Sequence, residues 1–169
     1  AGELSQQGDY SPMENMTSAQ LAQLLYVAYY GRPADSAGQE FWATQIDAVG
    51  TAGVAADFGA SAEFTARFGE LTNEELVQNL YQQLFGRDGE TAGVEYWVNL
   101  LDQEEISLAQ IAIEIAGGAQ GDDVTARDNK VAVAQEFTGL VGEEYTGDDA
   151  ANSARDFLLT VNAETVVDD

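Results

Sequence analysis

The sequence predicts an all-α protein in which two tandem helical repeat units and a C-terminal helical segment form one compact bundle. The main observation is an internal repeat, because LLYVAYYGRPADSAGQEFW at 24–42 matches NLYQQLFGRDGETAGVEYW at 79–97 with an offset of 55 residues. Apolar side chains also recur at helical spacing, and no stretch alternates for long enough to indicate a sheet. Duplicated units of this length are typical of helical repeat proteins. We expect four parts: a lead-in over 1–16, a first unit over 17–70, a second unit over 71–120 and a C-terminal segment over 121–169.

The first unit begins with a predicted amphipathic helix. Thr17 or Ser18 can accept backbone N–H groups at its start, and Gly31 is the kind of residue that ends a helix. Its core-facing stripe is formed by Leu21, Leu24, Leu25 and Ala28. After a turn, Asp35 is placed to cap a second helix. Two short helical elements are expected to complete the unit: one over 54–58 and one that begins after Ser61.

The second unit carries the same signals at the same offset. Thr72 or Asn73 can cap its first helix, and Gly86 is expected to end it. A second helix is predicted over about 91–101, and Ser107 is expected to open a third. The apolar stripe of the first of these helices is formed by Leu76, Leu80 and Leu84.

Beyond Gly121 the repeat is lost, but two further helices are predicted. The residues expected to form the apolar face of the first are Val133, Phe137, Leu140 and Val141. Asp148 or Asp149 can cap the last helix, which carries Phe157 and Leu158. These helices would pack on the two repeat units.

The chain is strongly acidic, with a formal charge of -24 from 30 acidic and 6 basic residues. Few cations are available to neutralise phosphates, so we expect neither nucleic acid nor an anionic membrane surface as a partner. Salt and multivalent cations weaken repulsion among carboxylates, which suits a saline, calcium-containing exterior. No stretch approaches the roughly 20 apolar residues of a membrane span. Membrane insertion is therefore not expected.

The chain contains no cysteine and no histidine. Disulfides, thiolate zinc sites, Cys-His pairs and Ser-His-Asp triads are excluded together. Paired carboxylates could still hydrolyse a glycosidic bond across a cleft. A helical hairpin repeat gives no sequence sign of a deep cleft, however. We therefore expect a protein that is not an enzyme, with a carboxylate-dependent glycan hydrolase as the weaker alternative.

The repeated residues define a structural motif of a Gly-Arg turn, a cap, an Ala-Gly pair and an indole ring. Its positions are Gly31, Asp35, Gly38, Trp42, Gly86, Gly93 and Trp97. The two tryptophans could stack on sugar rings. Large aromatic side chains at a repeated helix position more often fill the joint between helices, so we expect both indoles to pack in the core.

Four residues near the Gly-Arg turns are candidate ligand-binding residues: Tyr29, Tyr30, Arg32 and Arg87. The arginines could bind an anionic sugar or phosphate. An arginine just after a helix also satisfies backbone carbonyls and pairs with a nearby carboxylate, here Asp35 or Glu90. Three tyrosines cover most of the end of the first helix, so at least one ring is expected to be exposed as a glycan platform.

No cofactor is certain from the sequence, and Ca²⁺ is the candidate ion. Hard cations need several carboxylate and carbonyl oxygens close together. Asp88 and Glu90 flank Gly89 in a turn and are the candidate metal ligands, but the spacing of an EF-hand loop is absent. The Asp pairs at 122–123 and 148–149 are better explained as helix caps.

The motif Y-x(4)-GR-x(2)-D-x-AG-x(2)-[FY]W, followed by a short helix and Ser-Ala-Glu-Phe, resembles domain-of-unknown-function family 4214. This family is an all-helical repeat found mainly in large secreted bacterial proteins. Such proteins often carry calcium-binding RTX repeats and leave the cell by type I secretion. The resemblance covers 17–69 and 72 to about 120. It departs from the pattern at 117–120, where Gly-Gly-Ala-Gln replaces the expected S-x-E-[FY].

The resemblance implies a place more than a mechanism. Similar helical regions hold some type I-secreted surface-layer proteins on lipopolysaccharide. It therefore implies an extracellular or cell-surface location and a noncatalytic module that binds polysaccharide or lipopolysaccharide, with cations assisting. The alternative is self-association into a surface layer or filament. The chain has no G-G-x-G-x-D repeat, so we expect either one domain of a longer RTX-type protein or a small secreted protein made of this domain alone.

Overall fold

The structure, a computed structural model, describes residues 16–108, 110–141 and 147–165, and its regular elements within these ranges are all helices. This confirms the predicted all-α class, and the helices form one compact body. The predicted lead-in lies outside the described residues, apart from Met16. The helices are α1 (Ser18–Tyr30), α2 (Ser36–Val49), α3 (Thr51–Gly59), α4 (Ala62–Phe68), α5 (Asn73–Phe85), α6 (Thr91–Asp102), α7 (Ile111–Gly117), α8 (Asp122–Val141) and α9 (Gly147–Leu158).

Helix α1 is the centre of the fold. Nine of its 13 residues are buried, from Ala22 to Tyr30, and it contacts α2, α3, α4, α5, α7 and α8. A helix that is covered on every side needs more than one apolar stripe. The predicted stripe was therefore too narrow, and even Gln23 is buried, where its side chain accepts a hydrogen bond from the Ala34 N–H at 3.0 Å.

The predicted helix starts are confirmed in both units. Thr17 and Thr72 each accept a hydrogen bond from the third residue of the helix, and the side chain of that residue accepts one from the threonine N–H. This reciprocal pair of bonds satisfies two backbone donors at each helix start. Asp35 caps α2 by accepting from the Gly38 N–H at 2.7 Å. Ser61 caps α4 by accepting from the Phe64 N–H at 3.2 Å.

The predicted ends of α1 and α5 are confirmed as well. Gly31 and Gly86 both have φ 69°, in the left-handed region that only glycine occupies without strain. Each then leads into the arginine of the Gly-Arg turn. Local structure therefore matches at equivalent positions up to α6, while the tandem arrangement of two whole units stays a prediction.

Two predicted details of the later helices were wrong. The helix expected to open at Ser107 begins at Ile111 instead. In α8 the predicted apolar face is not the buried one, since Leu140 is 80% exposed. The face that is buried contains Val124, Ala126, Arg127, Lys130, Val131, Ala134 and Thr138. Two cations lie on that face, and hydrophobic periodicity treats cations as surface residues.

Among the described helices, none combines the length and apolar character needed to cross a membrane.

Candidate functional site

The Gly-Arg turn of the first unit is tied to α4 by an ion pair. Arg32 donates from Nε and Nη2 to the two carboxylate oxygens of Glu63, at 2.9 and 2.7 Å. Its Nη1 donates to the Pro33 carbonyl at 3.2 Å. The guanidinium also lies over the rings of Tyr26 and Tyr30, 5.2 and 5.3 Å from their centroids. The carboxylate partner predicted for Arg32 was Asp35, which instead caps α2.

The turn of the second unit has the same geometry with a different partner. Arg87 donates from Nε and Nη2 to Asp123 at 2.8 and 2.7 Å, and from Nη1 to the Asp88 carbonyl at 2.8 Å. The guanidinium lies 5.4 Å from the centroid of the Tyr81 ring. The predicted partner, Glu90, is a second and more distant one, at 3.5 Å from Arg87 Nη2. Both candidate arginines are thus held by a bidentate carboxylate.

The Ala-Gly pair of the motif has a steric explanation. A Cβ at Gly38 would lie 2.3 Å from the hydroxyl oxygen of Tyr26, and one at Gly93 would lie 2.9 Å from the hydroxyl oxygen of Tyr81. Only glycine lets these tyrosines approach the second helix so closely. The hydroxyl of each tyrosine is also hydrogen-bonded to the indole of the following motif tryptophan, Trp42 or Trp97.

The expectation that a tyrosine of α1 is exposed was wrong. Tyr29 is 0% exposed and Tyr30 is 8% exposed. The ring of Tyr29 packs against Phe64 with centroids 5.3 Å apart, and Tyr30 donates a hydrogen bond to Ser61 Oγ at 2.8 Å. Burial raises the pKa of both phenols. Because α1 is covered on all sides, its tyrosines are core residues.

The exposed rings lie on α2 and α6 instead. Phe41 and Tyr96 are equivalent positions in the repeat, and they are 54% and 59% exposed. Each ring lies edge-on to the neighbouring tryptophan, with centroids 4.8 Å apart for Trp42 and 5.0 Å apart for Trp97. Both tryptophans are partly buried against the core, as predicted. Sequence reasoning read the adjacent aromatics as a pair, although successive residues of a helix point in different directions.

The candidate metal ligands have polar partners in the protein. Asp88 accepts a hydrogen bond from the side chain of Gln82 at 2.7 Å, and Glu90 is paired with Arg87. Over the described residues, no group of three or more acidic side chains is arranged to hold a metal ion. Calcium binding at this turn stays a prediction.

All six cations of the chain make hydrogen bonds inside the fold. Besides the two motif arginines, Arg155 donates to the Tyr30 carbonyl at the end of α1, and Arg127 to the Ala116 carbonyl in the last turn of α7. Lys130 donates to the Gln82 and Leu158 carbonyls, in the last turns of α5 and α9, at 3.0 and 2.8 Å. Cations are favourable at helix C-termini because the carbonyls there lack helix partners.

The sixth cation joins the carboxylate cluster of the first unit. Arg67 donates from Nη2 to Gln83 Oε1, and its guanidinium lies 5.0 Å from the centroid of the Phe68 ring. Burial, with Arg155 as the next cause, lowers its pKa to about 10. Since Arg155 also binds Glu63 at 3.1 Å, the outer surface of the fold is left to the carboxylates.

A cleft of ≈490 Å³ lies beside the Gly-Arg turn of the second unit. Its lining is mostly polar and comes from α5, the following turn and the start of α8. We call it the second-unit cleft. It is lined by Tyr81, Arg87, Glu90, Gly118, Gln120, Asp122 and Asp123. The sequence signal for it was the departure from the family pattern at 117–120.

The comparisons with known proteins bear on the repeat itself. The family model described as "Domain of unknown function (DUF4214)" matches residues 55–119. This segment therefore carries the family repeat. The match confirms the resemblance inferred from the motif, and it runs from α3 through the whole second unit. Comparison with curated proteins gave no match, and neither did comparison with solved structures.

Proposed function

We propose that this chain is a noncatalytic attachment module that binds polysaccharide or lipopolysaccharide at a bacterial cell surface, outside the cell. The observation that carries the proposal is the pair of exposed rings, Phe41 and Tyr96, at equivalent positions of α2 and α6. An aromatic ring offers an apolar face on which the C–H groups of a sugar ring can pack. Repetition of such a ring on one scaffold favours a polymer with repeated sugar units, because two weak contacts on a linked ligand reinforce each other.

The charge distribution favours cation assistance for an acidic glycan. All six cations are engaged inside the fold, so the surface of a chain with net charge -24 repels uronates and phosphates. Divalent cations can bridge carboxylates of the protein to anionic groups of the glycan. Attachment to an acidic polymer should then depend on Ca²⁺, whereas attachment to an uncharged polymer should not.

The test is cosedimentation with purified lipopolysaccharide and with an uncharged polysaccharide, in the presence of Ca²⁺ or of EDTA. The double variant Phe41→Ala with Tyr96→Ala should weaken retention about tenfold or more, because two stacking contacts are lost. The matched control is Val49→Ala with Leu140→Ala, which truncates two equally exposed apolar side chains away from the tryptophans. Equal retention of both double variants would contradict the role of the rings, and absence of retention for the wild type would contradict the proposed function.

A second function, self-association, is favoured by the number of large exposed apolar side chains. Besides the two rings, these are Val49, Leu108, Leu140, Phe157 and Leu159. Exposed apolar residues on several helices could join copies into a layer or filament. Sedimentation velocity over a range of protein concentration and Ca²⁺ distinguishes this function. Concentration-dependent assembly without glycan retention would favour it over attachment.

A further inference from the structure

We propose that the second-unit cleft binds a saccharide that carries an amino group, so that the repeat contributes one packing site and one ligand site. This inference deepens the proposed attachment function and rests on it. The argument starts from a comparison of the two units at positions 55 residues apart. In the first unit the space beside the Gly-Arg turn is filled by α4, and in the second unit the equivalent residues form a turn rather than that helix.

Four replacements account for the open space. The first-unit residues Glu63, Phe64, Arg67 and Phe68 correspond to Gly118, Ala119, Asp122 and Asp123. The two phenylalanines are almost fully buried, and their rings pack together with centroids 5.1 Å apart. Their counterparts carry a methyl group and a carboxylate. The apolar filling of the first unit is therefore absent beside Arg87, and a cleft of ≈490 Å³ is present.

The polar contacts of the first unit are replaced in the same way. Tyr30 donates to Ser61 in the first unit, and the corresponding residues of the second unit are Phe85 and Ala116, which have no hydroxyl groups. Asp123 takes the place of Glu63 as the partner of the arginine, but it comes from the start of α8. The motif arginine is thus held in place while the ground beside it stays open.

The groups that line the cleft suit a hydroxyl-rich ligand. Arg87 and Gln120 offer N–H donors, and carboxylates accept hydrogen bonds from hydroxyl groups. Arg87 keeps 37% of its side chain exposed although Asp123 holds it. A pocket with a few oriented polar groups around a partly buried ring is the usual form of a site for a small polar ligand. The ring here belongs to Tyr81.

The charge of the lining selects the kind of saccharide. Three carboxylates, from Glu90, Asp122 and Asp123, face one guanidinium. The cleft therefore attracts an ammonium group and repels a carboxylate or phosphate. At the position of Asp122 the first unit has Arg67, so the charge at the equivalent place is reversed. We expect an amino oligosaccharide to bind more tightly than a neutral one, and an acidic one to bind most weakly.

The experiment is an NMR titration of the full chain with three oligosaccharides of equal length: one of glucosamine, one of glucose and one of galacturonate. The glucosamine oligomer should shift the amide signals of Gly118 and Gln120. Asp122→Asn should weaken its binding about threefold to tenfold, since an exposed charge contact is lost. The matched control is Asp57→Asn, which removes an exposed carboxylate from α3 and should leave binding unchanged.

A second variant fills the cleft directly. A Cβ at Gly118 would meet only ordinary contacts, the nearest being the Glu114 carbonyl at 3.5 Å. Gly118→Phe should therefore fold and abolish binding. If it does not fold, Asp122→Asn and its control still decide the matter. The inference is overturned if the glucosamine oligomer causes no shifts at the cleft, if Asp122→Asn binds it as the wild type does, or if the galacturonate oligomer binds best.

Failure of this inference can be told from failure of the proposed function. If polysaccharide retention is lost in the ring double variant but unchanged in Asp122→Asn, and the cleft gives no shifts, attachment stands and the cleft site falls. If the glucosamine oligomer binds at the cleft while the wild type is retained by neither lipopolysaccharide nor polysaccharide, the cleft site stands and surface attachment falls.

Discussion

The Gly-Arg turn of the first unit is covered by a helix, whereas the same turn of the second unit lies beside an open cleft. Both arginines are held by a bidentate carboxylate and lie over a tyrosine ring. What differs is the filling, because two buried phenylalanines of α4 correspond to Ala119 and Asp123. The comparison shows that a duplicated motif can keep the geometry of one turn and still change its surroundings from core to surface.

The largest expected effect comes from removing that filling in the first unit. Phe64→Ala should lower the free energy of unfolding by about 3–5 kcal/mol, because a buried ring is lost and a cavity remains. At the corresponding position of the second unit, Ala119→Gly should cost about 1 kcal/mol. Denaturant unfolding measures both values. A cost below about 1 kcal/mol for Phe64→Ala would show that α4 is not integral to the core.

The next effect concerns the cations at the ends of α1 and α5, which are Arg155 and Lys130. Lys130 is 0% exposed, and burial lowers its pKa from 10.5 to about 8. Between these values the unfolded chain holds a proton that the folded chain has lost. The free energy of unfolding should therefore rise with pH from about 8 to about 10.5, on the order of 3 kcal/mol in all. Below pH 8 this contribution is flat.

Tyrosines oppose this trend, so the measurement must be a difference. Burial raises the pKa of Tyr26 to about 12, and stability falls above pH 10 as the unfolded phenol ionises. Subtracting the pH profile of Lys130→Met cancels the tyrosines. The difference should keep the rise that begins near pH 8, and a wild-type profile parallel to that of the variant would contradict the assignment. Arg155 does not titrate in this range, so the effect belongs to the end of α5.

The smallest effect compares the two carboxylates that hold the motif arginines. Glu63→Ala should cost about 1–3 kcal/mol, because Arg32 and Arg155 both lose a partner and are mostly buried. Asp123→Ala should cost less than about 1 kcal/mol, since Arg87 is more exposed and stays near Glu90. Thermal unfolding of both variants beside an exposed control, Glu70→Ala, provides the test. Equal costs would mean that the two turns are equally buried in solution.

The parts of the fold that were predictable from the sequence are the ones set within a single helical turn. Thr17 and Thr72 cap their helices because the hydroxyl reaches an N–H three residues away. Gly31 and Gly86 end theirs because only glycine adopts the required φ without strain. The Ala-Gly pair belongs to the same group, although its cause, the approach of a tyrosine hydroxyl, needed the structure.

What could not be predicted depends on contacts between distant parts of the chain. Arg32 binds Glu63, 31 residues away, while Asp35 was the nearer carboxylate. The burial of Tyr29 follows from helices that cover α1 on its remaining sides. In α8 the hidden face contains Arg127 and Lys130, so its polar sequence gives no sign of burial. The second-unit cleft was visible only as a gap in a family pattern, and its volume and lining required the fold.

The engagement of every cation also affects how proteases would act on this protein. Trypsin-like enzymes cleave after lysine or arginine, and each of these six side chains is held by a carbonyl or carboxylate oxygen or by a side-chain amide. Cleavage would first require a tertiary contact to break, so digestion should follow local opening rather than simple accessibility. A folded chain with this arrangement would persist among secreted trypsin-like proteases for as long as its helices stay closed.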